Sequence, residues 1–346
     1  MLRTKCVVGS ELFRVLKEEY GPDFNNFLLS KVIPISGDVS VENLGIVDSK
    51  LIEKMWQEID IIVNSAATTK FDERYDVALG INALGALHVR NFASKCSNLK
   101  MLLQVSTAFV HDVEKRLIVE KPFRKGETLD GSKISCLDVN AEKKIIEEEL
   151  RALQMHRATE IETTRAMRDL GIERAMLHGW PNTYVFTKAM GEMLLENFEK
   201  AKIVIIRPTI VTSTYKEPFP GWIEGVRTMD SIFVAYGKGK LKFLAGDPNS
   251  VLDMILKLIN MMFCHLFESI YADARRRLST AVRMTELYKP YMFSQGVFDD
   301  ANTENLRRMI KGSNTKVVLN FDPNCIQWDE YFLNTHFQGL VKYVLK

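Results

Sequence analysis

Cysteine is scarce. The 346 residues hold five (Cys6, Cys96, Cys136, Cys264 and Cys325), scattered and never spaced Cys-x-x-Cys. That spacing argues against a disulfide framework and for a reducing compartment. The six histidines form no cluster with metal-ligand spacing, so no metal is expected. An excess of one charge is missing too. With 46 basic and 44 acidic residues the formal charge is +2, which gives no argument for a nucleic-acid partner. Long apolar runs are also lacking. The most apolar late stretch, Ile255 to Phe267, is interrupted by Lys257, Asn260 and His265. It falls short of the roughly 20 apolar residues a spanning helix needs. It reads as a helix packed within the protein, the alternative being peripheral association with a membrane surface. No secretory signal, internal repeat or low-complexity segment is visible.

What remains is an ordinary globular composition, 46% hydrophobic and 26% charged, in a chain long enough for two domains. Over the first two thirds, strand-like and helix-like segments alternate, as in a parallel α/β sheet. KVIPIS (from Lys31), DIIVN (from Asp60), KMLLQVS (from Lys100) and KIVIIR (from Lys202) are the strand candidates. Leu51 to Glu58, Tyr75 to Lys95 and Asn182 to Lys200 read as helices. Between the third and fourth strands, Ala141 to Leu153 and Glu160 to Leu170 read as a helical excursion whose charges serve solvation. From Met254 the pattern turns helical, with a short strand candidate at Val317 to Phe321, which places a domain boundary near residue 255. No Pro/Gly/Ser linker marks that boundary. The reading is an NAD(P)-binding unit over 1–255 and a smaller, mostly helical domain over 256–346. The fold class is a Rossmann-like parallel sheet with helices on both faces.

The chemistry concentrates in Asn182-Thr183-Tyr184-Val185-Phe186-Thr187-Lys188. Four residues is just over one helical turn, so Tyr184 and Lys188 leave the same face. A phenol near pKa 10 is a poor acid-base group at neutral pH, and a cation beside it brings it into range. A second Tyr/Lys match, Tyr236 and Lys240, sits among glycines and reads as a turn. Ser106-Thr107-Ala108 ends the third strand, where parallel sheets bind ligands, and offers a hydroxyl to a carbonyl oxygen. Thr107 is the first choice and Ser106 the alternate. Asn64-Ser65-Ala66-Ala67, also at a strand end, would let a cofactor approach the backbone, or would serve tight packing. Asp38 after Gly37 suits an adenine amino group, or simply a turn. Asn82 is a polar residue amid an apolar helix face and reads as structural support or a local cap. At Arg207-Pro208 a strand ends and the chain is redirected toward the crevice. In order along the chain, these segments match extended short-chain dehydrogenases.

Longer stretches narrow the likeness. AATTKFDERYDVALGINALGALHV (from Ala66), EKPFRKGETL (from Glu120), LHGWPNTYVFTKAMGE (from Leu177) and IIRPTIVTSTYKEPFPGWIEG (from Ile205) carry it. So do GDPNSVLD (from Gly246), LYKPYMFSQGVFDDANTENLRRM (from Leu287) and FDPNCIQWDEYFLNTHFQGLVKYV (from Phe321). Across nearly its whole length the chain resembles the alcohol-forming fatty acyl-CoA reductases of plants, with their male-sterility-type second domain. The resemblance implies reduction of a long-chain fatty acyl-CoA to a primary alcohol through an aldehyde, with NADPH as donor. It implies that Tyr184 gives the proton, and that Lys188 lowers the tyrosine pKa and holds the nicotinamide ribose. Thr107 or Ser106 would bond the developing oxyanion. Asp38, Ala66, Ala67, Arg207 and Pro208 would flank the cofactor. Family members are tied to the endoplasmic reticulum or to plastids.

Two departures stand out. No Gly-x-x-Gly-x-x-Gly occurs in the chain, and Met1 to Tyr20 reads as the segment that follows the family's second strand. The first βαβ unit, which binds the pyrophosphate, is therefore expected to be absent, leaving a sheet with exposed edges and an unburied face. Second, Gly246 to Asp253 runs straight into the C-terminal domain, as if an internal stretch were missing. Two alternatives follow: a catalytically inactive, truncated family member, and an extended short-chain enzyme acting on a nucleotide sugar.

Overall fold

The computed structural model describes residues 7–112, 117–129, 137–226, 228–238, 283, 286–291, 296–310 and 321–345. The expected junction near 255, the stretch Ile255 to Phe267, residues 317–320 and Lys240 lie outside them. The chain forms two compact units, interleaved in sequence. One comprises Ser36–Thr209 and Pro248–Asn302, the other Met1–Ile35, Ile210–Asp247 and Thr303–Lys346.

In the first unit the described strands are β1 (Ile61–Asn64), β2 (Met101–Val105), β3 (Leu117–Ile118), β4 (Lys202–Ile206) and β5 (Val297–Phe298). β1, β2 and β4 form one parallel sheet in the order β1-β2-β4, and β3 pairs with β5. Three of the four expected strands are thus in place. KVIPIS is not a strand. It is extended but unpaired, with Ile33 79% exposed, and Pro34 has no N–H to give to a ladder.

Strands of a doubly covered parallel sheet are apolar on both faces, and these are: Ile61-Ile62-Val63 and Ile203-Val204-Ile205-Ile206. Among the described residues only one face is covered. Ile62, Leu102 and Ile203 pack with Ile52, Val89, Phe92 and Leu195 from the helices and turn beneath them. Ile61 and Val63 on the other face are 53% and 59% exposed, and Ile206 is 44% exposed. Among the described residues the second face is the unburied one expected above for an incomplete sheet. The sequence is built for two-sided burial, and among the described residues nothing supplies the second layer.

The covering helices are α1 (Ser49–Glu58), α2 (Tyr75–Ala78), α3 (Gly85–Lys95), α4 (Val139–Met155), α5 (Glu160–Leu177) and α6 (Thr183–Met193). α2 and α3 are joined by a π-helical stretch, Leu79–Leu84. α5 starts with a capping box, in which the Thr159 hydroxyl accepts from Glu162 N and the Glu162 carboxylate from Thr159 N. α4 and α5 are the excursion, and with α2 and α6 they enclose Tyr75, Leu79, Met167, Trp180 and Phe186.

Glu142 corrects the idea that the excursion's charges only solvate. Its side chain is 2% exposed and bonds Arg174 (2.5 and 2.9 Å), the Tyr75 hydroxyl (2.8 Å) and His178 Nε2 (3.3 Å). Burial raises the Glu142 pKa, but hydrogen bonds from His178, Arg174 and Tyr75 outweigh it and hold the carboxyl at about 2. A depressed carboxyl contributes stability above its unfolded value of 4.5, and that stability is lost as pH falls toward 2. Glu142→Gln should therefore cost about 3 kcal/mol at neutral pH, by leaving Arg174 without its partner. In urea titrations the variant should also show a flatter acid limb between pH 4.5 and 2 than the parent. Equal midpoints at pH 7 would refute the ion pair's role.

The other unit has its own buried polar network. His336 is fully enclosed; its Nδ1 accepts from Ser213 N (3.3 Å), so Nε2 carries the proton and donates to Asp230 Oδ1 (2.9 Å). The Tyr331 hydroxyl donates to the Ser213 carbonyl (2.6 Å) and accepts from Thr212 Oγ1 (2.8 Å). Ser213, His336 and Asp230 stand in line, but the serine is only 7% exposed and its Oγ lies 3.0 Å from the Tyr331 oxygen. We read the set as a satisfied tie between the 210–238 segment and the C-terminal helices. Tyr236 lies in the last turn of the helix Thr228–Gly237, so the turn expected there begins only after it.

Candidate active site

The site is assembled where β2 ends and α6 begins. Asn182 caps α6, its Oδ1 accepting from Val185 N at 3.1 Å, which sets the helix start one residue before Tyr184. Ten of the eleven α6 residues are buried, and Tyr184 alone is part-exposed. Gly191 lets α6 approach the π-helical stretch, since a β-carbon there would strike the Asn82 carbonyl.

Lys188 is 2% exposed and donates to the Val105 carbonyl at 2.6 Å, pinning α6 to the end of β2. The next two residues of that strand end are Ser106 and Thr107, both buried. Ser106 N donates to Ile206 O at 2.7 Å and Ala108 N to Pro208 O at 3.0 Å, so β4 and Pro208 hold the segment in place. The Thr107 side chain lies close enough to the Tyr184 phenol to lower its pKa. Tyr184 and Lys188 thus share the α6 face at the end of β2, and Thr107 is the hydroxyl residue whose influence reaches the phenol. The Ser106 hydroxyl is buried and finds no partner among the described residues.

The electrostatics depart from expectation. Burial raises the Tyr184 pKa, opposed by the nearby Thr107 hydroxyl, and the hydrogen bond found for Lys188 does not go to the phenol. Its ammonium is directed at the Val105 carbonyl instead. Burial lowers the Lys188 pKa to about 8, partly offset by Glu192 one turn further on. At neutral pH the pair is thus a protonated phenol and a mostly charged amine, the state a reduction needs. An ammonium has three donors, and Val105 is the one acceptor found for it among the described residues. Two N–H groups remain for a ligand.

Asn82 plays the supporting part. It is 1% exposed; its Oδ1 accepts from Thr68 N (3.1 Å) and its Nδ2 donates to Thr68 O (3.1 Å) and Thr187 Oγ1 (3.0 Å). It clamps the loop after β1 to α6. Ala66 and Ala67 lie in that loop, exposed at the carboxyl edge of the sheet. Asp38 is exposed, and its Oδ1 accepts from Ser40 N (2.9 Å) and Ser40 Oγ (2.7 Å), a turn that holds its carboxyl below the usual range. Arg207 is committed elsewhere than expected. Its Nε and Nη2 bond Glu192 at 3.0 and 2.6 Å, and Nη2 also reaches the Lys121 carbonyl at 3.0 Å. The Glu192 carboxylate is fully enclosed and needs a cation, so Arg207 is corrected from a cofactor ligand to a buried ion-pair partner. A surface concavity of about 280 Å³ bordered by Arg90, Ser94, Asn197 and Lys200 shares none of these residues.

Sequence reasoning missed Tyr291. Asn182 Nδ2 donates to its hydroxyl at 2.8 Å, across 109 positions of sequence, and no local spacing signals that contact.

The geometry fits the nicotinamide half of a dinucleotide. Among the described residues a buried ammonium has one acceptor and a buried serine hydroxyl at the same strand end has no partner, where such sheets bind ligands.

A family model described as male sterility protein, NAD-binding, matches residues 4–257, and a second male sterility protein model matches 248–346. The chain is 40% identical to fatty acyl-CoA reductase 1 of Arabidopsis thaliana, over 98% of this chain and 88% of that protein. It is 39% identical to the alcohol-forming fatty acyl-CoA reductase of Simmondsia chinensis, over 98% and 87%. The first alignment runs over 435 positions, more than the 346 residues of the chain, so the relative carries residues within the aligned span that have no counterpart here. Among solved structures, the terminal R domain of the myxalamid biosynthetic pathway gives a TM-score of 0.33 at 20% identity, covering 55% of this chain and 36% of that one. The family matches and the identities extend over nearly the whole chain, and on them it belongs to the fatty acyl-CoA reductases, a family of oxidoreductases.

Proposed function

We propose that the chain reduces a long-chain fatty acyl-CoA to the primary alcohol, by way of the aldehyde, with NADPH as reductant. The observation that carries this is the convergence of Tyr184, Lys188 and Thr107 at the carboxyl edge of the sheet, in a chain of this family. The cofactor, when bound, supplies the hydride. Thr107 and Tyr184 meet the carbonyl oxygen as it gains charge, and Tyr184 gives it a proton. From the thioester this yields a hemithioacetal, which releases the CoA thiol and leaves the aldehyde. At the second reduction Tyr184 protonates the aldehyde oxygen, giving the alcohol. Lys188 holds the ribose hydroxyls with its two remaining donors. Ala66, Ala67 and Asp38 would flank the adenosine half.

The test offers the purified chain stearoyl-CoA with NADPH or NADH, and a nucleotide sugar with the same cofactors. The expected product is octadecanol, formed with NADPH. Turnover of the sugar instead would select the other extended short-chain chemistry, and no turnover of either would select the inactive reading. The family implies association with the endoplasmic reticulum or a plastid. Among the described residues no helix is long and apolar enough to cross a membrane.

A further inference from the structure

Beside Tyr184 stand rings that the proton transfer does not use. Phe71 lies parallel to Tyr184, with centroids 5.8 Å apart and planes at 7°. Its other neighbours are Tyr288 at 4.7 Å and Tyr291 at 5.4 Å, and Tyr291 meets Phe109 edge-on at 5.1 Å. Core rings such as Tyr75, Phe92 and Phe186 are fully enclosed, but these five are all part-exposed. They line a surface rather than fill an interior, which is how a ligand wall differs from a core. Phe71 follows the end of β1 and Phe109 the end of β2, so the wall stands at the sheet edge where the reacting atoms lie.

The wall has one oriented polar group beside Tyr184. Asn182 Oδ1 is taken by Val185 N, so its Nδ2 faces Tyr291 and can only donate. The Tyr291 oxygen is therefore an acceptor in that bond and keeps its own proton to give. No acceptor for it is found among the described residues. Burial raises the Tyr291 pKa, and the neighbouring Tyr184 adds to this, so the phenol stays a donor at neutral pH.

We propose that Phe71, Phe109, Tyr288 and Tyr291 form the seat of the alkyl segment next to the reacting carbonyl, and that the Tyr291 hydroxyl hydrogen-bonds the substrate's thioester group. This rests on the acyl-CoA reading above. The faces of four rings suit methylenes, whereas a sugar there would lay its hydroxyls against apolar ring carbon. Tyr291 is thus a binding residue for the acyl substrate, distinct from the proton donor.

The test measures binding of radiolabelled stearoyl-CoA and of free CoA by equilibrium dialysis, below the micelle threshold, to the full chain and to Tyr291→Phe and Phe71→Ala. Tyr291→Phe keeps the ring and removes only the hydroxyl, and should weaken stearoyl-CoA about fivefold to tenfold, the worth of one hydrogen bond. Phe71→Ala should weaken it by tenfold or more, through lost apolar contact. Free CoA should bind all three alike. Unchanged stearoyl-CoA binding in Tyr291→Phe, with the parent's thermal midpoint kept, would overturn the hydroxyl's role, and unchanged binding in Phe71→Ala would overturn the wall. No stearoyl-CoA binding by the parent would overturn both. Binding that follows this pattern without turnover would instead count against the proposed reaction and leave the inference standing.

Discussion

Tyr184→Phe should lower stearoyl-CoA turnover by about a thousandfold or more while NADPH affinity changes by less than about twofold. A positioned general acid is worth roughly 10² to 10⁴ in rate, and phenylalanine keeps the ring that stacks on Phe71. The loss is confined to the hydroxyl whose pKa the nearby Thr107 lowers. It should appear in kcat and kcat/KM together, the sign of an interaction made in the transition state. Both reduction steps should fall, so octadecanal offered directly should also be left unreduced. Retained aldehyde reduction in the variant would remove Tyr184 from the proton-donor role.

Lys188→Met has two expected effects, and they separate the lysine's chemistry from its packing. Methionine is similar in length and fills the space, but has nothing to give the ribose. Turnover and NADPH affinity should each drop by about a hundredfold or more, as two charged hydrogen bonds are lost. The second effect concerns pH. The folded Lys188 titrates at about 8 against 10.5 for the free side chain. Between those values the unfolded chain holds more protons than the folded one, so stability rises with pH through that window, by up to about 3 kcal/mol. Lys188→Met should lose that increment. Parent and variant with parallel stability profiles from pH 7 to 10.5 would show that the amine is not held in the buried state described. For the same reason, activity of the parent should decline on an alkaline limb near pH 8 as the ammonium is lost.

The parts of the fold that were legible rest on local signals. Apolar runs of four to five residues at 61–64, 101–105 and 202–206 became the sheet, because a buried parallel strand needs little beyond such a run. The Tyr184/Lys188 pair could be read because a helix repeats within one turn, and α6 spans both residues. KVIPIS failed for the complementary reason: a strand exists only with a partner, and a run containing Pro34 with no described neighbour stays extended. The Glu142–Arg174 pair, the Glu192–Arg207 pair and the Asn182–Tyr291 bond join residues 32, 15 and 109 positions apart. Their partners are chosen by tertiary packing, and charge or polarity at either end alone suggests only a solvated surface. Lys188 illustrates the same limit. The spacing places it on the face of Tyr184, but only the position of β2 shows that its ammonium is bound to Val105.

The central claim is that one site, with Tyr184 as its acid, adds hydride twice to the same carbon. The most direct measurement supplies stearoyl-CoA with NADPH deuterated at the transferable C4 position and reads the octadecanol by mass spectrometry. The account predicts alcohol carrying two deuterium atoms at C1 from the parent chain and none from Tyr184→Phe. Alcohol with one deuterium, NADPH oxidised without alcohol, or labelled alcohol from Tyr184→Phe at the parent's rate would contradict it.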